Sequence, residues 1–162
     1  MLSVLLLALG SSFALGLRHA TDPDHVVAVT AVAARERSLA RAARVGALWG
    51  VGHTATIMVV GCAIVLYKLA FTPRVGLSLE LAVAVMLVVL GAANLVGART
   101  EPARRAPAAR PLLVGVVHGL AGSAAATLLV LPLIADPRWA AAYLLVFGAG
   151  TVAGMALMSV LI

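Results

Sequence analysis

Charge and aromatic rings are both scarce in this chain: of its 162 residues, 11% are charged and 4% aromatic, while 63% are hydrophobic. A soluble domain ordinarily carries about 25% charged and about 45–50% apolar residues. The balance therefore excludes an ordinary soluble fold and leaves an integral membrane protein, a single domain by length. The apolar residues come in stretches of roughly 20, far beyond a strand of about 5–6, which excludes sandwiches and open sheets. A formal charge of +6 invites a nucleic-acid partner, but a binding groove needs stacking rings among its cations, and few are available. Cys62, the one cysteine, allows neither an intrachain disulfide nor a thiolate cluster and reads as a small buried hydrophobe. The chain has no His-Glu-x-x-His and no glutamate beside a histidine, so a zinc peptidase would lack its base. With no Ser/His/acid arrangement and no glycine-rich loop followed by lysine, it reads as a non-enzyme.

The charges that are present sit between the apolar runs. Arg35, Arg37, Arg41 and Arg44 are opposed only by Glu36, and Arg99, Arg104, Arg105 and Arg110 only by Glu101. Apolar segments near 1–34, 45–67, 77–98, 111–134 and 139–162 remain, and about 20 residues suffice to cross a hydrocarbon core of about 30 Å. The expected fold is an all-α polytopic helix bundle of about five spans, forming a single transmembrane domain over 1–162. Both basic groups are expected in the cytoplasm, which puts the N-terminus outside, with 68–76 and 136–138 as external turns. Ser12-Phe13-Ala14 loosely resembles a signal cleavage site. The basic flank is missing, however, and apolar character resumes at Val26, so the segment reads as retained. The ending Met158-Ser159-Val160-Leu161-Ile162 has no polar tail, pointing to a further helix from a partner or beyond this sequence.

All four histidines, His19, His25, His53 and His118, fall inside the apolar segments together with Asp22 and Asp24. Ionisable groups are costly in lipid and mark a pathway or a site. At 1.5 Å per residue, Asp24 and His25 lie about 15 Å from the inner boundary, His53 about 12 Å and His118 about 10 Å, depths that suit one pocket. In an unbroken helix His19 and Asp24 would stand about 140° apart. Pro23 removes the bond to the His19 carbonyl, and Asp22-Pro23 reads as a cap and first residue, so the first segment is expected to break there. Half-helices broken at the midplane are a transporter device. Imidazoles and carboxylates without thiolate favour nickel, cobalt, zinc, copper or iron. The bland alternative is a kinked helix in which Asp22 caps and Asp24 pairs with Arg18. A weak echo places a glycine three residues before a histidine at Gly16 and His19, Gly50 and His53, and Gly115 and His118.

The run Arg18-His19-Ala20-Thr21-Asp22-Pro23-Asp24-His25 resembles the hallmark of the nickel/cobalt transporters, a histidine, four residues, then Asp-His. Gly52-His53-Thr54 and Leu90-Gly91-Ala92-Ala93-Asn94-Leu95 resemble two further signatures of that family, and Gly119-Leu120-Ala121-Gly122-Ser123 resembles its shorter urease-accessory or sulfite-exporter-like relatives. Pro23 departs from the family's usual alanine, and five spans are fewer than its usual six to eight. The resemblance implies a multi-pass protein of a prokaryotic cytoplasmic (inner) membrane that carries Ni2+ or Co2+ as substrate, with no resident cofactor. It also implies that His19, Asp24, His25 and His53 bind or pass the ion and that Asn94 lines the pathway, with a cap or an interhelical hydrogen bond as the alternative role of Asn94. The polar constellation itself adds His118 and Asp22 as further contributors and Arg18 as a lining residue able to attract an anion. The implied partners are the lipid bilayer, the ion, and a second copy or another membrane subunit. Two other readings stay open: an exporter of sulfite or another small anion, and a nontransporting accessory protein for metal delivery.

Overall fold

The computed structural model describes residues 2–33, 36, 38–67, 72–100, 108–120, 134 and 136–162. Among these it is entirely helical: α1 (Leu2–His19), α2 (Pro23–Ala33), α3 (Leu39–Tyr67), α4 (Pro73–Thr100), α5 (Ala109–Gly119) and α6 (Pro137–Leu161). Three helices are long and apolar enough to cross a bilayer, over Leu39–Ala63, Arg74–Val96 and Pro137–Leu161, and α2 is a shorter apolar helix. The chain is thus a multi-span α-helical membrane protein. Much of the segment expected near 111–134, most of the linker 103–111, part of the 68–76 turn, Gly122 and Ser123, and Arg35, Arg37, Arg104 and Arg105 lie outside the described residues.

Local chemistry sets the helix ends. Expected near 45, α3 begins at Leu39, because Ala and Arg are strong helix formers and the Ser38 carbonyl takes the Ala42 N–H. Expected near 77, α4 begins at Pro73, where a proline loses no useful donor and Thr72 accepts the Val75 N–H through both its carbonyl and its hydroxyl. Asp136 caps α6 by accepting the Arg138 N–H at 2.8 Å, again with proline following. Between α1 and α2 the chain closes a tight turn: Thr21 N–H reaches the Arg18 carbonyl and Asp22 N–H the His19 carbonyl, at 2.8 and 3.1 Å. The Asp22 carbonyl then opens α2 by accepting from both His25 and Val26.

The main packing runs α1 on α6, α6 on α3 and α3 on α5, with α2 touching α3, α4 and α6 more lightly. Small residues allow this, as helices in lipid associate by close packing and interhelical hydrogen bonds. The Ser12 hydroxyl donates to the Tyr143 carbonyl at 2.8 Å, joining α1 to α6, and Thr56 donates to the Val116 carbonyl at 3.0 Å, joining α3 to α5. Asn94 on α4 donates from Nδ2 to the Ala31 carbonyl of α2.

Candidate metal centre

The three glycine and histidine pairs noted in the sequence share one structural logic. Residues three apart lie one turn apart on one helix face. A side chain at Gly16 would strike the Phe147 carbonyl of α6, one at Gly50 would meet Val152 Cα, and one at Gly115 would strike the Trp49 carbonyl of α3. Each glycine therefore lets two backbones touch, and each histidine one turn further on is drawn into the interhelical space. Gly119, packed on the His53 carbonyl, clamps α5 to α3 on the far side of His118.

The four imidazoles meet there. His25, His53 and His118 are fully buried, and His19 is 6% exposed. His25 is the hub, its ring centroid 4.4 Å from that of His19, 4.5 Å from His118 and 5.0 Å from His53. His19 Nε2 and His53 Nε2 face each other at 3.0 Å. Asp22 Oδ2 lies 2.9 Å from His19 Nδ1, and Asp24 bridges two rings, with Oδ1 at 3.1 Å from His25 Nδ1 and Oδ2 at 3.0 Å from His118 Nε2. Asp24 thus pairs with His25 and His118 instead of Arg18, which is exposed and contributes its carbonyl to the turn with Thr21.

Tautomers follow from this pattern. An ionised carboxylate only accepts, so in neutral rings His19 and His25 carry hydrogen on Nδ1 and His118 carries it on Nε2. The bare His19 Nε2 then accepts from His53 Nε2. His25 Nε2, His53 Nδ1 and His118 Nδ1 remain as buried nitrogens with no hydrogen-bond partner among the described residues, each an expense of about 1–3 kcal/mol. Ligand atoms within 4.8 Å of one another fall into two groups, His19 with His25 and His53, and Asp24 with His25 and His118.

Two cluster neighbours were not singled out in the sequence. Trp49 is buried with its ring 5.4 Å from His25 and 5.6 Å from His118, and its Nε1–H has no partner among the described residues. It stands four residues before His53 on the same face of α3, a spacing that offered a signal. Phe147 of α6 covers His19 at 5.5 Å. Asn94 is placed elsewhere: its partner Ala31 lies six residues, or about 9 Å of helix, beyond His25.

Apolar spanning helices closed around buried imidazoles, with two part-exposed carboxylates beside them, define an integral membrane protein that handles metal cations. A family model described as high-affinity nickel-transport protein, NicO, matches residues 5–110. The urease accessory protein UreH of Bacillus sp. (strain TB-90) is 34% identical over 175 residues, covering 98% of this chain and 77% of that protein. The chain belongs to the NicO family of nickel-transport proteins. No solved structure matches it.

Proposed function

We propose that this protein carries Ni2+ or Co2+ across the cytoplasmic membrane of a prokaryote through the His/Asp cluster, with His19, His25 and His53 as the ligand core. The observation that carries the reading is the buried, partnerless His25 Nε2 beside the facing Nε2 atoms of His19 and His53. Only His53 must shift its hydrogen, to its own partnerless Nδ1, for three lone pairs to meet an ion. Asp22 and Asp24 then act as carboxylates behind metal-bound imidazoles, holding the rings and raising their basicity. His118 and Trp49 line the same centre, Arg18 adjoins it next to His19, and Asn94 stands apart on its bond to Ala31.

The wider arrangement is part of the same proposal: one domain of about five spans, α1 and α2 as halves of one interrupted segment, the basic loops inside and the N-terminus outside. A second copy or another membrane subunit is the protein partner in this reading. Partnerless imidazole lone pairs repel an anion, which weighs against sulfite as the cargo. The name of the Bacillus relative supports a second reading, metal delivery as an accessory to a urease.

Sealed vesicles containing only this chain test the proposal. Divalent metal uptake above protein-free vesicles, lost in His19→Ala and His25→Ala and absent for sulfite, is the expected result. Uptake equal to that of empty vesicles would reject transport and leave the accessory role. Because imidazole must be unprotonated to ligate, ion affinity falls as pH is lowered. Single cysteines in a Cys62→Ser background, at Arg44 inside and Asp136 outside, should label from opposite faces.

A further inference from the structure

His25 belongs to both ligand groups, and its two nitrogens have different surroundings. Nδ1 faces Asp24, while Nε2 is buried without a partner among the described residues. The groups also differ in access. His19, His25 and His53 are at most 6% exposed, whereas Asp24 is 33% exposed at the side chain and opens the other group outward. His118 lies beyond the residues 5–110 that match the family model. It is fully buried, and its Nδ1 lacks a partner among the described residues, although Asp24 and the packing of Gly115 and Gly119 fix the ring in place. Asp24 brings His25 Nδ1 and His118 Nε2 to its two oxygens, so a carboxylate and two imidazole nitrogens converge there.

The geometry points to two ion positions in this protein: the three-imidazole position on which the proposed function rests, and a second made by Asp24, His25 and His118, with one ion passed between them through His25. A neutral imidazole has one lone pair. His25 therefore ligates through Nε2 at the first position or through Nδ1 at the second, and an ion at one excludes an ion at the other. For use at the second position, His25 and His118 carry their hydrogens on Nε2 and Nδ1, the two nitrogens that stand without partners. The all-imidazole set is closed and suits borderline divalent metals, while the mixed set adds a harder carboxylate ligand that is open to exchange. Passage requires binding favourable enough to admit the ion and weak or divided enough to release it, and a closed position beside an open one meets both conditions.

The test uses the full chain, with Co2+ titrated by visible absorption, which reports the ligand set, and flux measured in vesicles. The wild type should bind one Co2+. His118→Ala should still bind one, with the spectrum of the three-imidazole set and little change in affinity, while flux falls by about tenfold or more. His53→Ala should also bind one, with a different spectrum, and binding should disappear in His25→Ala and in the His53→Ala/His118→Ala double variant. His118→Gln keeps a donor for Asp24 without an imidazole and should repeat the His118→Ala result even if the smaller side chain unsettles folding. Two Co2+ per wild-type chain would overturn the proposal, as would undiminished flux in both His118 variants. Single-variant losses that simply add in the double variant would describe one shared site and also overturn it. A wild-type chain that binds no Co2+ would reject the metal function itself, a result distinct from each of these.

Discussion

Helices α3 and α4 are nearly equal in length and both apolar enough to span a bilayer, yet they use their side chains in opposite ways. In its most apolar stretch α3 is 44% buried, and α4 is 6% buried. Glycines on α3 admit the backbones of α5 and α6 to contact, whereas a side chain added at Gly76 or Gly91 on α4 would meet nothing within 4 Å. The same composition thus serves as a frame that fixes four imidazoles in one half and as an exposed wall in the other. What separates the halves is whether small residues share a face with polar ones.

The largest effect should come from filling a contact in the frame. Gly115→Leu drives a side chain into the Trp49 carbonyl beside His53 and His118, and should cost about 3 kcal/mol or more. Its readout is loss of monodisperse protein in detergent, while Gly91→Leu on α4 should purify like the parent. If the two behave alike, the division between frame and wall fails.

Next in size is the hub. His25→Ala should abolish Co2+ binding while the protein still purifies, since the change also removes a buried nitrogen that lacks a partner among the described residues. Retained binding in a titration would mean that the imidazoles meet for packing alone. Asp22→Ala should be milder, weakening binding by about tenfold, because His19 keeps its ring but loses the carboxylate behind it. Smaller again is Asn94→Leu, which breaks the tie to Ala31 and should cost about 0.6–1 kcal/mol in a denaturant titration. Leu81→Ala and Val88→Ala, exposed on the wall, should shift the same measurement by less than about 0.5 kcal/mol.

Much of this arrangement was legible in the chain. Scarce charge and long apolar runs gave the membrane class, and four histidines at similar depth gave a common meeting place, because helical rise converts residue counts into depth. What depth could not supply was rotation about each helix axis. Rotation decides which nitrogen each carboxylate oxygen meets, and the Asp24 oxygens face one nitrogen each of His25 and His118. The glycine and histidine echo was visible but weak, since fifteen glycines make coincidence easy. Its meaning depends on which backbone each glycine touches, a long-range fact that sequence spacing does not carry. Trp49 went unnoticed because a lone tryptophan in an apolar run looks like ordinary core.

The bond from Asn94 to Ala31 links the exposed wall to the helix that carries Asp24 and His25. The apolar stretch Arg74–Val96 has 23 residues, and at 1.5 Å each it measures about 35 Å against a hydrocarbon core of about 30 Å, long enough to span with some tilt. A thicker membrane lets it stand upright and a thinner one lays it further over. The tie from Asn94, two residues before the end of that stretch, therefore fixes where α4 leans on α2.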